Sequence, residues 1–363
     1  MKVVRTTAAG GLEVIDAPEP DLEDGEALIE LVCCGLCGTD LYKLADAGRT
    51  SGEVLGHEVV GRVIESRADS LRPGDRVVAP HHAPCGDCRL CRSGAETMCA
   101  RFAENLLDPG GFSERIRLPA RAVEHTVRKL DAGLPDEAAV FVEPAACVLR
   151  GIDRAGLSGD APEVAVLGAG SMGLLHLLVL RATFPGARIV VAEPDPDRRA
   201  IALELGADSA APPGEVAEPN AGRRATARQL GAEAAAPPDA IADLVDYAQP
   251  QDGADAVFDT AGGQAAFDLA LEVTRPGGRV VLFAHAPADA RVTFDINAVF
   301  KSERQVIGAY SGTPAEQARA LDLLHDGALD PTPLVTHRLP LDRAAEAVDL
   351  CRRREALKVL LHP

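Results

Sequence analysis

Three residues of different chemistry stand close together early in the chain. Cys37-Gly38-Thr39-Asp40 is followed by Gly56-His57-Glu58, which offers a thiolate, an imidazole and a carboxylate within about twenty residues. Zinc accepts sulfur, nitrogen and oxygen donors in a tetrahedron, so the three can share one ion if the intervening chain folds back. The same residues also fit a buried thiol and a loop His-Glu pair, and on their own they do not decide. A second cysteine set is more specific. Cys85, Cys88 and Cys91 are separated by two residues each, and Cys99 follows after seven more. That density suits a closed four-thiolate cage around a structural zinc. A disulfide pair is the poorer alternative in a reducing compartment, and an iron-sulfur cluster lacks a second cluster motif.

A third constellation lies near the middle of the chain. Val164-Ala165-Val166-Leu167 reads as a strand that enters Gly168-Ala169-Gly170-Ser171-Met172-Gly173, after which an apolar helix runs to about Arg181. A strand, a glycine turn and a helix in that order present backbone N–H groups and a helix N-terminus to a pyrophosphate. A second strand, Arg188 to Ala192, ends in Glu193. A carboxylate there accepts from a ribose 2'-hydroxyl and repels a 2'-phosphate, which favours NAD over NADP. Arg198 and Arg199 follow closely, and an arginine near that pocket can serve the phosphate instead.

The elements that must hold these groups read as two kinds of structure. Val3 to Val14, Glu26 to Cys33, Val59 to Ile64 and Arg76 to Ala79 read as short strands, with Arg72-Pro73-Gly74-Asp75 as a turn. Gly133 to Glu137 reads as a linker before a helical stretch from Ala138 to Ile152 that carries Glu143-Pro144. Beyond the glycine turn, strands and helices alternate: Ala256 to Asp259, Phe267 to Val273 and Arg279 to Ala284, with Pro276-Gly277-Gly278 as the turn between the last two. That alternation implies a doubly wound parallel sheet. A helix from Thr313 to Asp326 and a final segment from His337 to Leu361 close the chain.

With 363 residues and 47% hydrophobic content the chain can build two cores. A formal charge of -18 and a pI near 4.9 exclude nucleic acid and anionic membranes as natural partners. No apolar stretch is long enough to span a bilayer and no signal region opens the sequence, so the expected location is cytoplasmic. Nine cysteines there read as metal ligands or core residues. Residues 192–213 recur as 217–238 with 14 of 22 positions identical. A local duplication, or shared Ala-Pro-Arg bias, therefore makes Glu218 a rival to Glu193. Only the first copy follows a strand, which favours Glu193.

Taken together, Cys37 to Asp40, Gly56 to Glu58, the Cys85/Cys88/Cys91/Cys99 lobe, Gly110-Gly111-Phe112-Ser113-Glu114, Val142-Glu143-Pro144-Ala145 and Gly168 to Gly173 give the chain a family resemblance. Over essentially its whole length it resembles the zinc-containing medium-chain dehydrogenase/reductases, in the branch of sorbitol (iditol) and threonine dehydrogenases. The resemblance implies an α/β protein: a GroES-like β-rich catalytic domain over 1–147, completed by 308–363, and a Rossmann NAD-binding domain over 148–307. It also implies two zinc ions per chain. Where alcohol dehydrogenase carries a Cys2His catalytic set, Glu143 takes the place of the second cysteine. Cys37 and His57 are then ligands, with Glu58 and Glu143 as direct or water-mediated ligands that exchange. Cys85, Cys88, Cys91 and Cys99 hold the structural ion, and Gly168, Gly170, Ser171, Met172, Gly173, Glu193 and Arg198 form the cofactor site.

In this reading the ion's charge eases loss of a substrate hydroxyl proton as hydride leaves for the nicotinamide. Thr39 takes the proton and Asp40 orients the site. Relatives often place a histidine five residues after the ligand cysteine, where this chain has Tyr42, a poor base near neutrality. His82 matches a position where threonine dehydrogenase carries a histidine near its substrate, while Cys33, Cys34, Cys147 and Cys351 read as core or interface. The expected activity is NAD-linked oxidation of a secondary alcohol in a polyol, sugar or cyclitol, favoured by the carboxylate-rich site and by Glu114. The alternatives are a vicinal amino alcohol as substrate, or a catalytically silent NAD-binding protein with structural zinc only. Relatives assemble as homodimers or homotetramers.

Overall fold

The computed structural model describes residues 1–46, 50–216, 253–287 and 289–363. The second copy of the repeated segment, Glu218 included, lies outside the described residues. The first strands in chain order are β1 (Lys2–Thr6), β2 (Leu12–Asp16), β3 (Ala27–Gly35), β4 (Glu58–Ser66), β5 (Arg76–Pro80), β6 (Arg115–Leu118) and β7 (Arg128–Lys129). Then come β8 (Glu163–Leu167), β9 (Arg188–Ala192), β10 (Ser209–Ala211), β11 (Ala254–Asp259), β12 (Thr274–Leu282) and β13 (Gln305–Gly308). The chain finishes with β14 (Val335–Pro340) and β15 (Lys358–His362). It divides into two units, Met1–Cys147 with Ser311–Pro363, and Val148–Tyr310.

The first unit is β-rich. Its seven-stranded sheet runs β14-β15-β3-β4-β5-β7, with β6 also paired to β3, and β1 and β2 form a separate hairpin. Residues facing inward from these strands, among them Ile29, Val59, Val77, Ile116 and Leu361, share one core with Phe112 and Leu36. β3 and β4 pair antiparallel with Gly35 opposite Glu58, and β15 pairs antiparallel with β3, placing Leu360 opposite Gly35. Because alternate residues of a strand share a face, Lys358 projects on the same side of the sheet as Leu360. The central end of the sheet thus gathers β3, β4 and β15 at one point, and Cys37 follows β3 directly.

The second unit is a Rossmann fold. Six strands run parallel in the order β10-β9-β8-β11-β12-β13, with the reversal in direction of winding between β8 and β11. Ligands of such sheets bind beyond the C-terminal ends of the strands at that reversal, which is where the glycine turn after β8 lies.

Three elements differ from the sequence reading. Val3 to Val14 is two strands, because Gly10 adopts a left-handed φ of 78° and turns the chain back. The helix expected from Ala138 is two, Asp136–Ala139 and Val142–Ala155. Pro276-Gly277-Gly278 lies within β12 rather than between elements. There the pairing with β11 skips from Thr274 to Arg279, so the glycines make a bulge and not a turn.

Candidate active site and dinucleotide turn

In the first unit, backbone geometry brings the three early donors together. Gly56, at φ 86°, turns the chain into β4, and a Cβ on it would fall 2.4 Å from the Phe112 ring, so glycine is required. His57 and Glu58 emerge from that turn opposite the end of β3, where Cys37 precedes the helix Gly38–Ala45. Asp40, on the first turn of that helix, is fully buried and ties the ensemble. Its Oδ2 accepts from the Cys37 backbone N–H at 2.9 Å, and its Oδ1 accepts from Gly56 N–H at 3.2 Å. The same Oδ1 lies 3.3 Å from His57 Nδ1, which leaves the opposite ring nitrogen for a ligand. One sulfur, one nitrogen and one oxygen from Cys37, His57 and Glu58 lie within 4.8 Å of one another. That donor set of one sulfur, one nitrogen and one oxygen suits a zinc ion.

The charges agree with a cation-binding site. Burial alone would push the His57 imidazole down, yet the adjacent Asp40 carboxylate and Cys37 thiol carry it well above its ordinary value. Burial works to raise Asp40, and His57 beside it holds the carboxyl below the usual range. The pocket therefore attracts positive charge where its donors meet.

Glu143 sits on the first turn of Val142–Ala155, buried, but outside the tight three-donor set. Burial raises its carboxyl, opposed by the charges of His57 and Lys358 and reinforced by Glu58. One helical turn on, the Cys147 thiol lies 3.7 Å from Glu143 Oε1 as a weak donor. Cys147 is therefore also a neighbour of the site, and its i, i+4 spacing from Glu143 carried the signal. Thr39 Oγ1 lies 3.7 Å from Cys37 Sγ. Tyr42 is half exposed on the same helix. Glu114, read as a polar neighbour of the substrate, accepts from the Lys2 backbone N–H at 2.7 Å.

Two histidines extend from His57. The His81 ring stands 4.6 Å from that of His57 and 3.5 Å from that of His82, which leans on Phe102 at 5.1 Å. Burial drives both imidazoles down, His81 well below its usual range and His82 to about 3, so both are neutral. Their Nδ1 atoms are buried without a hydrogen-bond partner.

The sequence also passed over Lys358, whose ammonium contacts both oxygens of Glu58 at 2.7 Å. A lysine in the apolar run Lys358-Val359-Leu360-Leu361 was the available signal, since a buried ammonium needs a counter-charge.

The other cysteines form a separate cage. Cys85, Cys88, Cys91 and Cys99 are all free thiols. Sulfur separations are 3.5 Å for Cys88 and Cys91, 3.9 Å for Cys85 and Cys91, and 3.5 Å for Cys85 and Cys99. Four sulfurs at the usual zinc–sulfur distance would stand about 3.8 Å apart. The residues fit a structural zinc.

In the second unit, the glycine turn has the spacing a dinucleotide demands. Gly168 takes φ 98° directly after β8, and a Cβ on Gly173 would lie 1.8 Å from the Gly168 carbonyl oxygen, so only glycine lets the helix Ser171–Thr183 pack this closely. Ser171 Oγ is buried with no partner on the first turn of that helix, an unsatisfied donor suited to a phosphate oxygen. Met172 stands beside it, its carbonyl 2.7 Å from His176 Nδ1. Glu193, 1% exposed, accepts from Ala169 N–H at 2.8 Å with one oxygen and from Asp195 N–H at 3.0 Å with the other. A Cβ on Gly170 would lie 3.7 Å from Arg198 Nη1, which puts that guanidinium against the turn, whereas Arg199 donates to the Glu193 and Pro194 carbonyls.

Comparison with known proteins accords with this architecture. Residues 23–128 match the alcohol dehydrogenase GroES-like domain, and residues 215–326 match the zinc-binding dehydrogenase family. A sorbitol dehydrogenase of Bombyx mori is 29% identical over 98% of this chain and 96% of its own length. An L-threonine 3-dehydrogenase of Pyrococcus abyssi is 28% identical over 99% and 97%. Among solved structures, the alcohol dehydrogenase TADH from Thermus sp. ATN1 is 30% identical, covers 100% of this chain and 99% of its own, and superposes with a TM-score of 0.79. The chain belongs to the zinc-containing medium-chain dehydrogenase/reductases, with a GroES-like domain and a Rossmann domain. It is a dehydrogenase of the polyol and alcohol group, a group that works with zinc and a nicotinamide cofactor.

Proposed function

We propose that this dehydrogenase oxidises a secondary alcohol of a polyol, sugar or cyclitol to the ketone, with NAD as hydride acceptor. The observation that carries the reading is the convergence of Cys37, His57 and Glu58 within 4.8 Å, with a further buried carboxylate, Glu143, beside them. Cys37 and His57 would hold the catalytic zinc, with Glu58 and Glu143 as exchangeable carboxylates. Zinc, when bound, lowers the cost of removing a proton from a hydroxyl. Asp40 fixes the His57 ring, and Thr39, with its Oγ1 3.7 Å from Cys37 Sγ, would take the substrate's proton while passing its own on toward the cofactor ribose. The neutral imidazoles of His81 and His82 offer unsatisfied ring nitrogens to polar substrate groups. A site rich in carboxylates and unpaired imidazoles recognises several hydroxyls better than one alkyl alcohol.

The cage of Cys85, Cys88, Cys91 and Cys99 would hold a second, structural zinc. Glu193 would bind the adenosine ribose and select NAD, while Arg198 stands against the turn beside it. Assembly as a homodimer or homotetramer belongs to the same proposal. β13 ends its sheet, and Ile296 and Phe300 nearby in sequence are 71% and 75% exposed, an apolar edge that a second copy would cover. A vicinal amino alcohol is the second reading, favoured by His82, two rings away from His57.

Metal analysis and a substrate screen test the proposal together. Purified protein should carry two zincs per chain and form NADH from polyols or cyclitols. Turnover restricted to amino alcohols would favour the second reading. One zinc and no turnover with any alcohol would overturn both.

A further inference from the structure

Thr260 is the first residue past β11, and β11 lies beside β8 at the reversal of the second unit's sheet. Its backbone N–H donates to the Leu167 carbonyl at 3.1 Å, and its Oγ1 donates to the same oxygen at 2.7 Å, with the Gly168 carbonyl 3.5 Å away. The N–H alone would satisfy that carbonyl, as a strand partner does. The hydroxyl is therefore a second tie between the end of β11 and the entry to the glycine turn.

That hydroxyl also occupies space that two glycines leave open. A Cβ on Gly168 and a Cβ on Gly173 would each fall 3.0 Å from Thr260 Oγ1, so the hydroxyl packs against the first and the last glycine of the turn. On the other side, the Gly168 N–H donates to the Ala192 carbonyl at the end of β9, at 2.8 Å. The turn is thus held from both neighbouring strands. Thr260 is itself fixed by its loop. Asp259, 3% exposed, accepts with Oδ1 from the N–H groups of Ala261 at 3.1 Å and Gly262 at 2.7 Å, and its carbonyl accepts from Phe283 and Ala284 N–H at 3.0 Å each. A β-branched side chain on such a backbone has few rotamers to lose.

A glycine turn and helix N-terminus bind a pyrophosphate best when their N–H groups are already in place before the ligand arrives. We propose that Thr260 is a positioning residue of the dinucleotide site: its hydroxyl, tied to Leu167 and packed against Gly168 and Gly173, keeps the glycine turn in the shape that receives the pyrophosphate. The inference rests on the reading of that turn as the cofactor site. Ser171, whose buried Oγ lacks a partner, stands on the first turn of the helix that this hydroxyl helps to seat.

The test compares Thr260→Ala and Thr260→Val, which lack the hydroxyl, with Thr260→Ser, which keeps it. Dissociation constants are measured for NADH by its fluorescence, and for ADP-ribose and adenosine by displacement of NADH. Loss of one hydrogen bond from the support of the site should weaken NADH and ADP-ribose about 3–10-fold in T260A and T260V. Adenosine, which carries no phosphate, should bind as it does to wild type, and T260S should stay within about twofold of wild type for all three. A valine methyl is larger than the hydroxyl it replaces, so T260A separates loss of the bond from crowding of the glycines and carries the comparison if T260V does not fold. A loss of NADH affinity below about threefold in the folded variants that lack the hydroxyl would overturn the proposal. So would an equal loss for adenosine and ADP-ribose, the mark of a general loosening of the unit, or a serine variant as weak as the alanine one. Wild-type protein that binds neither NADH nor ADP-ribose would instead remove the reading on which the inference rests.

Discussion

Gly35→Ala should unsettle the first unit far more than one methyl group in a strand ordinarily would. The added Cβ would fall 1.9 Å from Glu58 Oε2 and 3.0 Å from its Cδ, where carbon and oxygen need more than 3 Å. Relief requires the carboxylate to move by over an ångström. Lys358 holds both oxygens at 2.7 Å, so such a movement takes at least one of them beyond hydrogen-bond range. Breaking a buried ion pair from one side costs ~3–5 kcal/mol. In a unit of about 200 residues, each kcal/mol lowers the melting temperature by roughly 2–4 °C, which gives a drop of roughly 6–20 °C. Thermal melting followed by circular dichroism measures it. The same substitution in an E58L/K358M background, where no ion pair remains, should cost less than about 1 kcal/mol. A G35A protein that melts within 2 °C of wild type, or one whose loss is the same in both backgrounds, would refute the argument that the missing side chain exists to seat this pair.

His57→Ala should remove one zinc of two and abolish turnover with the fold intact, as read by metal mass spectrometry and circular dichroism; retained activity would end the catalytic assignment. Cys91→Ser should cost the other zinc and lower the melting temperature, while the turnover of molecules that remain folded stays near wild type. A selective loss of chemistry would instead implicate the cage in catalysis. Glu193→Ala should weaken NAD binding by about 10–100-fold, the loss expected for hydrogen bonds to a charged acceptor, and should narrow the preference over NADP. Isothermal titration with both dinucleotides would reveal an unchanged ratio, which would move the ribose contact elsewhere.

The donor clusters that the structure brings together were legible in the sequence because zinc chemistry restricts candidate ligands to few residue types and short spacings. Cys85 to Cys99 and Gly168 to Gly173 carry their own local geometry, so reading them needed no knowledge of distant contacts. Register was not legible. Nothing local says that Gly35 pairs with Glu58 and Leu360, since pairing between strands far apart in sequence is set by the whole sheet. For that reason neither the place of Lys358 beside Glu58 nor the bond between Lys2 and Glu114 is legible from local sequence. Cys147 was missed differently. Its helix is legible from the sequence, whereas the face it shares with Glu143 matters only once that carboxylate is placed beside the site. The bulge at Gly277 was read as a turn because both conformations call for glycine at positive φ.

The cation that neutralises Glu58 arrives 300 residues later in the chain. During synthesis the early strands leave the ribosome with their acidic ligand still unmatched, and the ensemble gains its final charge only when residue 358 has been added. A product that stops short of β15 would thus bear the thiol, imidazole and carboxylate without the counter-ion that balances them. The pairing of Glu58 is therefore completed only by the last strand of the chain.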